Sequence, residues 1–90
     1  MIQTIKINVR GKVQGVTYRE TTRRKAVTLG LTGTVENLEN GDVMIIATGD
    51  PETLEGFVHW CHKGPQRASV SEVISTEIPL QQFPGFSIKR

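Results

Sequence analysis

The order of signals along this chain predicts an α+β fold in which an antiparallel sheet carries two helices on one face. Three observations predict it: two stretches with helical spacing of buried-type residues, a hairpin signal between them, and strand-like runs at both ends. Ninety residues suit one domain over 1–90, with room for a single core.

Ile5, Ile7 and Val9 alternate with Lys6, Asn8 and Arg10, the two-residue period of a strand with one buried face. The segment GKVQGVTYR, Gly11 to Arg19, follows as a loop. From Glu20 to about Leu29 the chain lacks Gly and Pro, and Thr22, Ala26 and Leu29 fall on one helical face, with Gly30 as the stop. Leu31 to Leu38 and Asp42 to Thr48 then flank Glu39-Asn40-Gly41. Asn40-Gly41 predicts a tight hairpin turn with positive φ at both positions.

Asp50 is placed to cap a second helix and Pro51 suits its first position, while Leu54, Phe57, Val58 and Cys61 form an apolar stripe; Gly64-Pro65 ends it. Ser69 to Ile78, rich in Val, Ile and Thr, predicts a strand, and Phe86 to Ile88 a short last one. The resulting βαββαβ order is the split βαβ, or ferredoxin-like, arrangement, which serves both enzymes and nucleic-acid binders.

Composition narrows the function. No apolar run approaches the ~20 residues of a membrane span. The N-terminal segment reads as a strand and not as a secretory signal, and a single cysteine suits a reducing compartment, so a cytoplasmic location is expected. A net charge of +2 favours a small anionic substrate over a nucleic acid.

Within the loop, Gly11 and Gly15 let successive backbone N–H groups turn toward one centre, and the helix that follows presents its positive end there. Arg19, at the loop's exit, carries a permanently charged fork suited to phosphoryl oxygens. The residues alone equally allow a tight strand-to-helix connection ending in a solvated arginine. The loop contains neither GxxxxGK[ST] nor GxGxxG, so no common nucleotide motif is indicated.

GKVQGVTYR and GTVENLENGDV resemble the two signature segments of the acylphosphatase family, and the similarity continues through TRRKAVTLGLTG, GDPETLEGFVHW, KGP and FPGFSIKR. The resemblance implies a ferredoxin-like fold and hydrolysis of the carboxyl–phosphate anhydride of acyl phosphates, without metal or organic cofactor. It makes Arg19 the phosphate-binding arginine and Asn37 the water-positioning asparagine. The backbone amides of Val13, Gln14, Gly15, Val16, Thr17, Tyr18 and Arg19 would cradle the phosphoryl group, with inorganic phosphate as product. A monomer is expected.

The chain departs from the family pattern at Thr17 and Tyr18, where a glycine or bulky residue and then phenylalanine are usual, at Thr34 for an aromatic, and at Glu36. A carboxylate next to Asn37 would repel a phosphate if it shared the site, but strand alternation predicts that Glu36 and Asn37 face oppositely.

Other constellations have plainer readings. His59, Cys61 and His62 lack the second ligand cluster a metal would need. Leu54, Phe57 and Trp60 read as helix packing, and Arg23, Arg24 and Lys25 as a solvated face. The alternatives to an enzyme are a non-catalytic phosphate or acyl-phosphate binder and an RNA-binding module of the same topology. The latter would need base-stacking aromatics that the first strand and Val70 to Ser75 lack.

Overall fold

The structure, a computed structural model, describes residues 1–89. Its elements are β1 (Gln3–Lys12), α1 (Tyr18–Thr28), β2 (Thr32–Asn37), β3 (Val43–Gly49), α2 (Pro51–Lys63), β4 (Ser69–Ile78) and β5 (Phe86–Lys89). The sheet runs in the order β4-β1-β3-β2-β5. The pairs β1–β3, β1–β4 and β2–β3 are antiparallel, as the ferredoxin-like order requires. The short β5 departs from the expected all-antiparallel sheet: it lies parallel to β2, with Gly33 opposite Phe86 and Val35 opposite Ile88, and makes the sheet mixed. It reaches that edge because the segment after β4 carries the chain to the other side of the sheet.

Strand alternation decides which face is covered. Ile7 and Val9 of β1, Val35 of β2, and Val43, Ile45 and Ala47 of β3 are fully buried and belong to one core with Ala26, Leu54, Phe57 and Cys61 from the helices. The intervening residues, among them Lys6, Thr34, Met44 and Ile46, form the uncovered face.

Local chemistry sets the element ends. Asp50 Oδ2 accepts from the Glu52 amide at 3.1 Å and the Thr53 amide at 3.4 Å, so α2 starts where the Asp-Pro pair predicts. The hairpin differs from the expected two-residue turn: Leu38 and Asp42 close it, through Leu38 N–H to Asp42 O at 2.8 Å. Only Gly41 has positive φ, at 96°. Asn40 stays at negative φ and accepts the Asp42 amide on its side-chain oxygen at 3.0 Å, giving a three-residue loop.

Helix α1 begins two residues before the expected Glu20, because Tyr18 turns inward and is buried against α2. Trp60, expected in the core with Leu54 and Phe57, sits at its rim: it is partly exposed, stacked on Phe57 and tilted against Tyr18.

Candidate active site

The loop between β1 and α1 is held by its valines. Val13 and Val16 are buried in the core, while Gly15 and Thr17 are exposed. Two residues of this short loop are left-handed, Gly15 at φ 75° and Thr17 at φ 63°. Glycine reaches that region freely, whereas threonine, β-branched, is strained there.

Thr17 is the N-cap of α1 by position but does not act as one. Its hydroxyl donates to the Val16 carbonyl, and no side chain caps the helix. The first helical bond of α1 runs from Thr21 N–H to the Thr17 carbonyl, at 3.0 Å. The first-turn amides before it lack partners within the helix. An 11-residue helix whose N-terminus has no side-chain cap turns first-turn N–H groups and partial positive charge toward one place.

Beside this helix start lies a hollow of about 200 Å³. Val13, Gly15, Thr17, Tyr18 and Arg19 line it from the loop and helix, and Asn37 lines it from the end of β2. Of the loop residues expected at the site, Gln14 and Val16 are absent from the lining. The Val16 side chain is buried, and the Gln14 side chain reaches across to the β2–β3 hairpin.

The two polar side chains expected at the centre are both available. Arg19 is partly buried and makes no ion pair with any described residue. The Asn37 Oδ1 atom is buried and has no hydrogen-bond donor among the described residues. A buried acceptor without a partner is costly, so a donor from a ligand or water would be favoured there. Glu36 points the other way, as alternation predicts: it lies outside the lining, 3.9 Å from Lys89 Nζ on β5.

Two lining residues were not anticipated from the sequence. Glu20 follows Arg19 in the first turn of α1, and its carboxylate takes Arg23 through both oxygens at 2.7 and 2.9 Å. A negative charge bordering the hollow is thereby countered by a guanidinium. Ile88 enters from β5, at the opposite end of the chain, and no local sequence signal points to it.

Elsewhere, Cys61 is buried in the core while His59 and His62 are exposed, and no group of three potential metal ligands occurs among the described residues. No helix among them is long and apolar enough to cross a membrane.

A helix start without a side-chain cap, an arginine with no ion pair among the described residues and an asparagine whose buried acceptor lacks a donor among them all border one hollow, a combination chemically suited to a small oxyanion. Comparison with known proteins gives the family. Residues 5–88 match the family model for acylphosphatase. An acylphosphatase from Marinobacter nauticus is 53% identical over 79 residues, 87% of this chain and 86% of its own length. The structure of an acylphosphatase from Coxiella burnetii superposes with a TM-score of 0.95 at 40% identity, over 98% of this chain and 93% of the other. The crystal structure of acylphosphatase from Bacillus subtilis does so with a TM-score of 0.94 at 33% identity, over the whole of both chains. The chain belongs to the acylphosphatase family, hydrolases that act on acid anhydrides.

Proposed function

We propose that this chain hydrolyses acyl phosphates by in-line attack of water on a phosphoryl group held between the loop amides and Arg19, with Asn37 fixing the water. The observation that carries this reading is that Asn37, whose buried Oδ1 has no hydrogen-bond donor among the described residues, lines the same hollow as Arg19. A water donating to that oxygen would be oriented toward the phosphorus, and an asparagine can do this without changing protonation state.

In the step itself a bond forms from the water oxygen to phosphorus and the bond from phosphorus to the acyl oxygen breaks. The electron pair leaves with the carboxylate, and the water's protons pass to phosphate and solvent. Negative charge on the equatorial oxygens is met by the amides from Val13 to Arg19 and by the Arg19 guanidinium. The leaving carboxylate is a weak base, so positioning and charge stabilisation suffice without a general acid. The same reading takes residues 1–90 as one domain, monomeric and cytoplasmic, acting on a small molecule and not on nucleic acid.

The test is phosphate release from benzoyl phosphate by the purified protein with EDTA present, beside a phosphate monoester and the Arg19→Ala variant. Turnover of the acyl phosphate alone, resistant to EDTA and lost with Arg19, is the expected result. A folded wild type that binds phosphate without turnover would instead make the chain a phosphate-binding module.

A further inference from the structure

Resting on that reading of Arg19 and Asn37, we propose that Gln14 is a positioning residue, whose side-chain amide holds Asn37 at its working distance from the phosphate loop. The sequence places Gln14 in the loop for its backbone N–H, but its side chain is engaged elsewhere. Its Nε2 donates to the Leu38 carbonyl at 2.8 Å and to the Asp42 carbonyl at 2.9 Å. Both amide protons are thus used, and both acceptors belong to the pair that closes the β2–β3 hairpin, immediately after Asn37.

The location of this clip explains why it matters. The backbone ladder between β1 and β3 ends at Val9–Val43, and that between β2 and β3 at Asn37–Val43. Past these pairs the loop and the hairpin mouth are separate segments, 24 and 28 residues apart at the Gln14 contacts. Side chains continue the connection. Asn8 Nδ2 donates to Asp42 Oδ2 at 2.8 Å, and Arg10 Nε lies 3.4 Å from the same oxygen, while Gln14 takes the Asp42 carbonyl.

The carboxylate is therefore anchored to β1 and the carbonyl to the loop. The loop amides hold the phosphorus and Asn37 holds the nucleophile, so the contact between their segments sets the distance over which in-line attack occurs. Displacement by about 1 Å in such an arrangement costs on the order of 10²-fold in rate.

Removing the two donors at nearly constant volume, as in Gln14→Met, leaves the backbone amide of residue 14 and the Arg19 cradle intact. The experiment is steady-state kinetics on benzoyl phosphate, with inhibition by inorganic phosphate, for wild type, Gln14→Met, Asn37→Ala and the double variant, each shown to be folded by circular dichroism.

Gln14→Met is expected to lower kcat by ~10²-fold while KM and the phosphate inhibition constant move by less than about 3-fold. In the Asn37→Ala background the same substitution is expected to change kcat by less than about 3-fold, because there is no longer a positioned amide to misplace. An undiminished kcat in Gln14→Met, a loss confined to KM, or a full second loss in the double variant would each overturn the proposal.

These outcomes are separable from failure of the underlying reading, which would show as an inactive wild type or a fully active Asn37→Ala. In that event the side-chain amide resonance of Asn37 in a 1H–15N spectrum decides. It is expected to shift or broaden in Gln14→Met, and an unchanged position and width would refute the clip.

Discussion

The Tyr18 hydroxyl donates to the Cys61 carbonyl at 2.8 Å, across the interior between the first residue of α1 and the last buried residue of α2. The bond ties the helix start that faces the hollow to the other helix. The tyrosine therefore does more than fill the place of a phenylalanine, since its oxygen satisfies a buried carbonyl. Gly64, the C-cap of α2, completes the arrangement: a Cβ there would stand 2.5 Å from the Tyr18 ring, and its φ of 63° already favours glycine.

This buried pair predicts a particular loss of stability in alkali. Burial raises the Tyr18 phenol above its ordinary value and pushes the Cys61 thiol up to about 12. In the unfolded chain both groups ionise at their ordinary, lower values. The folded state thus holds more protons on these groups at high pH, so the stability they contribute is complete below about pH 8.5 and is lost as pH rises, by up to about 1.4 kcal/mol per pH unit for each group. Urea midpoints measured from pH 7 to 11 should show the decline, and Tyr18→Phe should show a shallower one. Parallel curves for the two proteins would contradict this origin. The same burial keeps Cys61 from reacting with thiol reagents at neutral pH until the protein is unfolded.

Thr17 offers a test of stored strain. A threonine at φ 63°, ψ 20° with its hydroxyl turned to Val16 carries a backbone cost of about 1–2 kcal/mol. Glycine there relieves the cost but adds entropy to the unfolded chain, offsetting about 0.5–1 kcal/mol. Thr17→Gly is therefore expected to raise Tm by a few degrees with the first-turn amides unchanged in direction, and calorimetry checks it. A lower Tm would mean that the threonine side chain contributes packing that outweighs the strain.

Much of the architecture was legible because it follows from local periodicity. Alternation in Ile5, Ile7 and Val9, the stripe from Leu54 to Cys61 and the Asp50-Pro51 helix start each depend on residues a few positions apart. The opposed directions of Glu36 and Asn37 were legible for the same reason. Parallel pairing of β5 with β2 was not, because it joins segments about 50 residues apart with no turn to announce it. Ile88 at the hollow and the reach of Gln14 to Leu38 have the same character: each is decided by what the sheet order brings together. The Asn40-Gly41 signal located the hairpin correctly but not its form, since Asn40 used its side chain on Asp42 in place of a left-handed backbone.

Glu36 should be close to silent in catalysis. Its carboxylate is partly exposed, on the face away from the hollow and at long ion-pair distance from Lys89. Exposed pairs of this kind contribute about 0–1 kcal/mol, and solvent screens the carboxylate from a bound phosphate. Glu36→Gln is expected to leave kcat unchanged and KM within about 2-fold at 0.15 M salt. A large fall in KM on neutralising Glu36 would show that its field reaches the site.

Arg19 and Asn37 should separate when binding and turnover are measured independently. In the proposed mechanism the guanidinium and the loop amides would meet phosphoryl oxygens, whose charge exists in the bound substrate and in the product phosphate as well as in the transition state. Arg19→Ala is therefore expected to weaken phosphate inhibition and to lower kcat/KM by ~10²-fold or more. Asn37 is assigned to the attacking water, so Asn37→Ala should lower kcat by ~10²-fold with phosphate inhibition nearly unchanged. Asn37→Asp sharpens the distinction: it keeps the acceptor but introduces a negative charge at a residue that lines the hollow, so it should also weaken phosphate binding. Equal loss of binding and turnover in Asn37→Ala would assign the asparagine to holding the hairpin or the phosphate, and the nucleophilic water would then need another partner in the hollow.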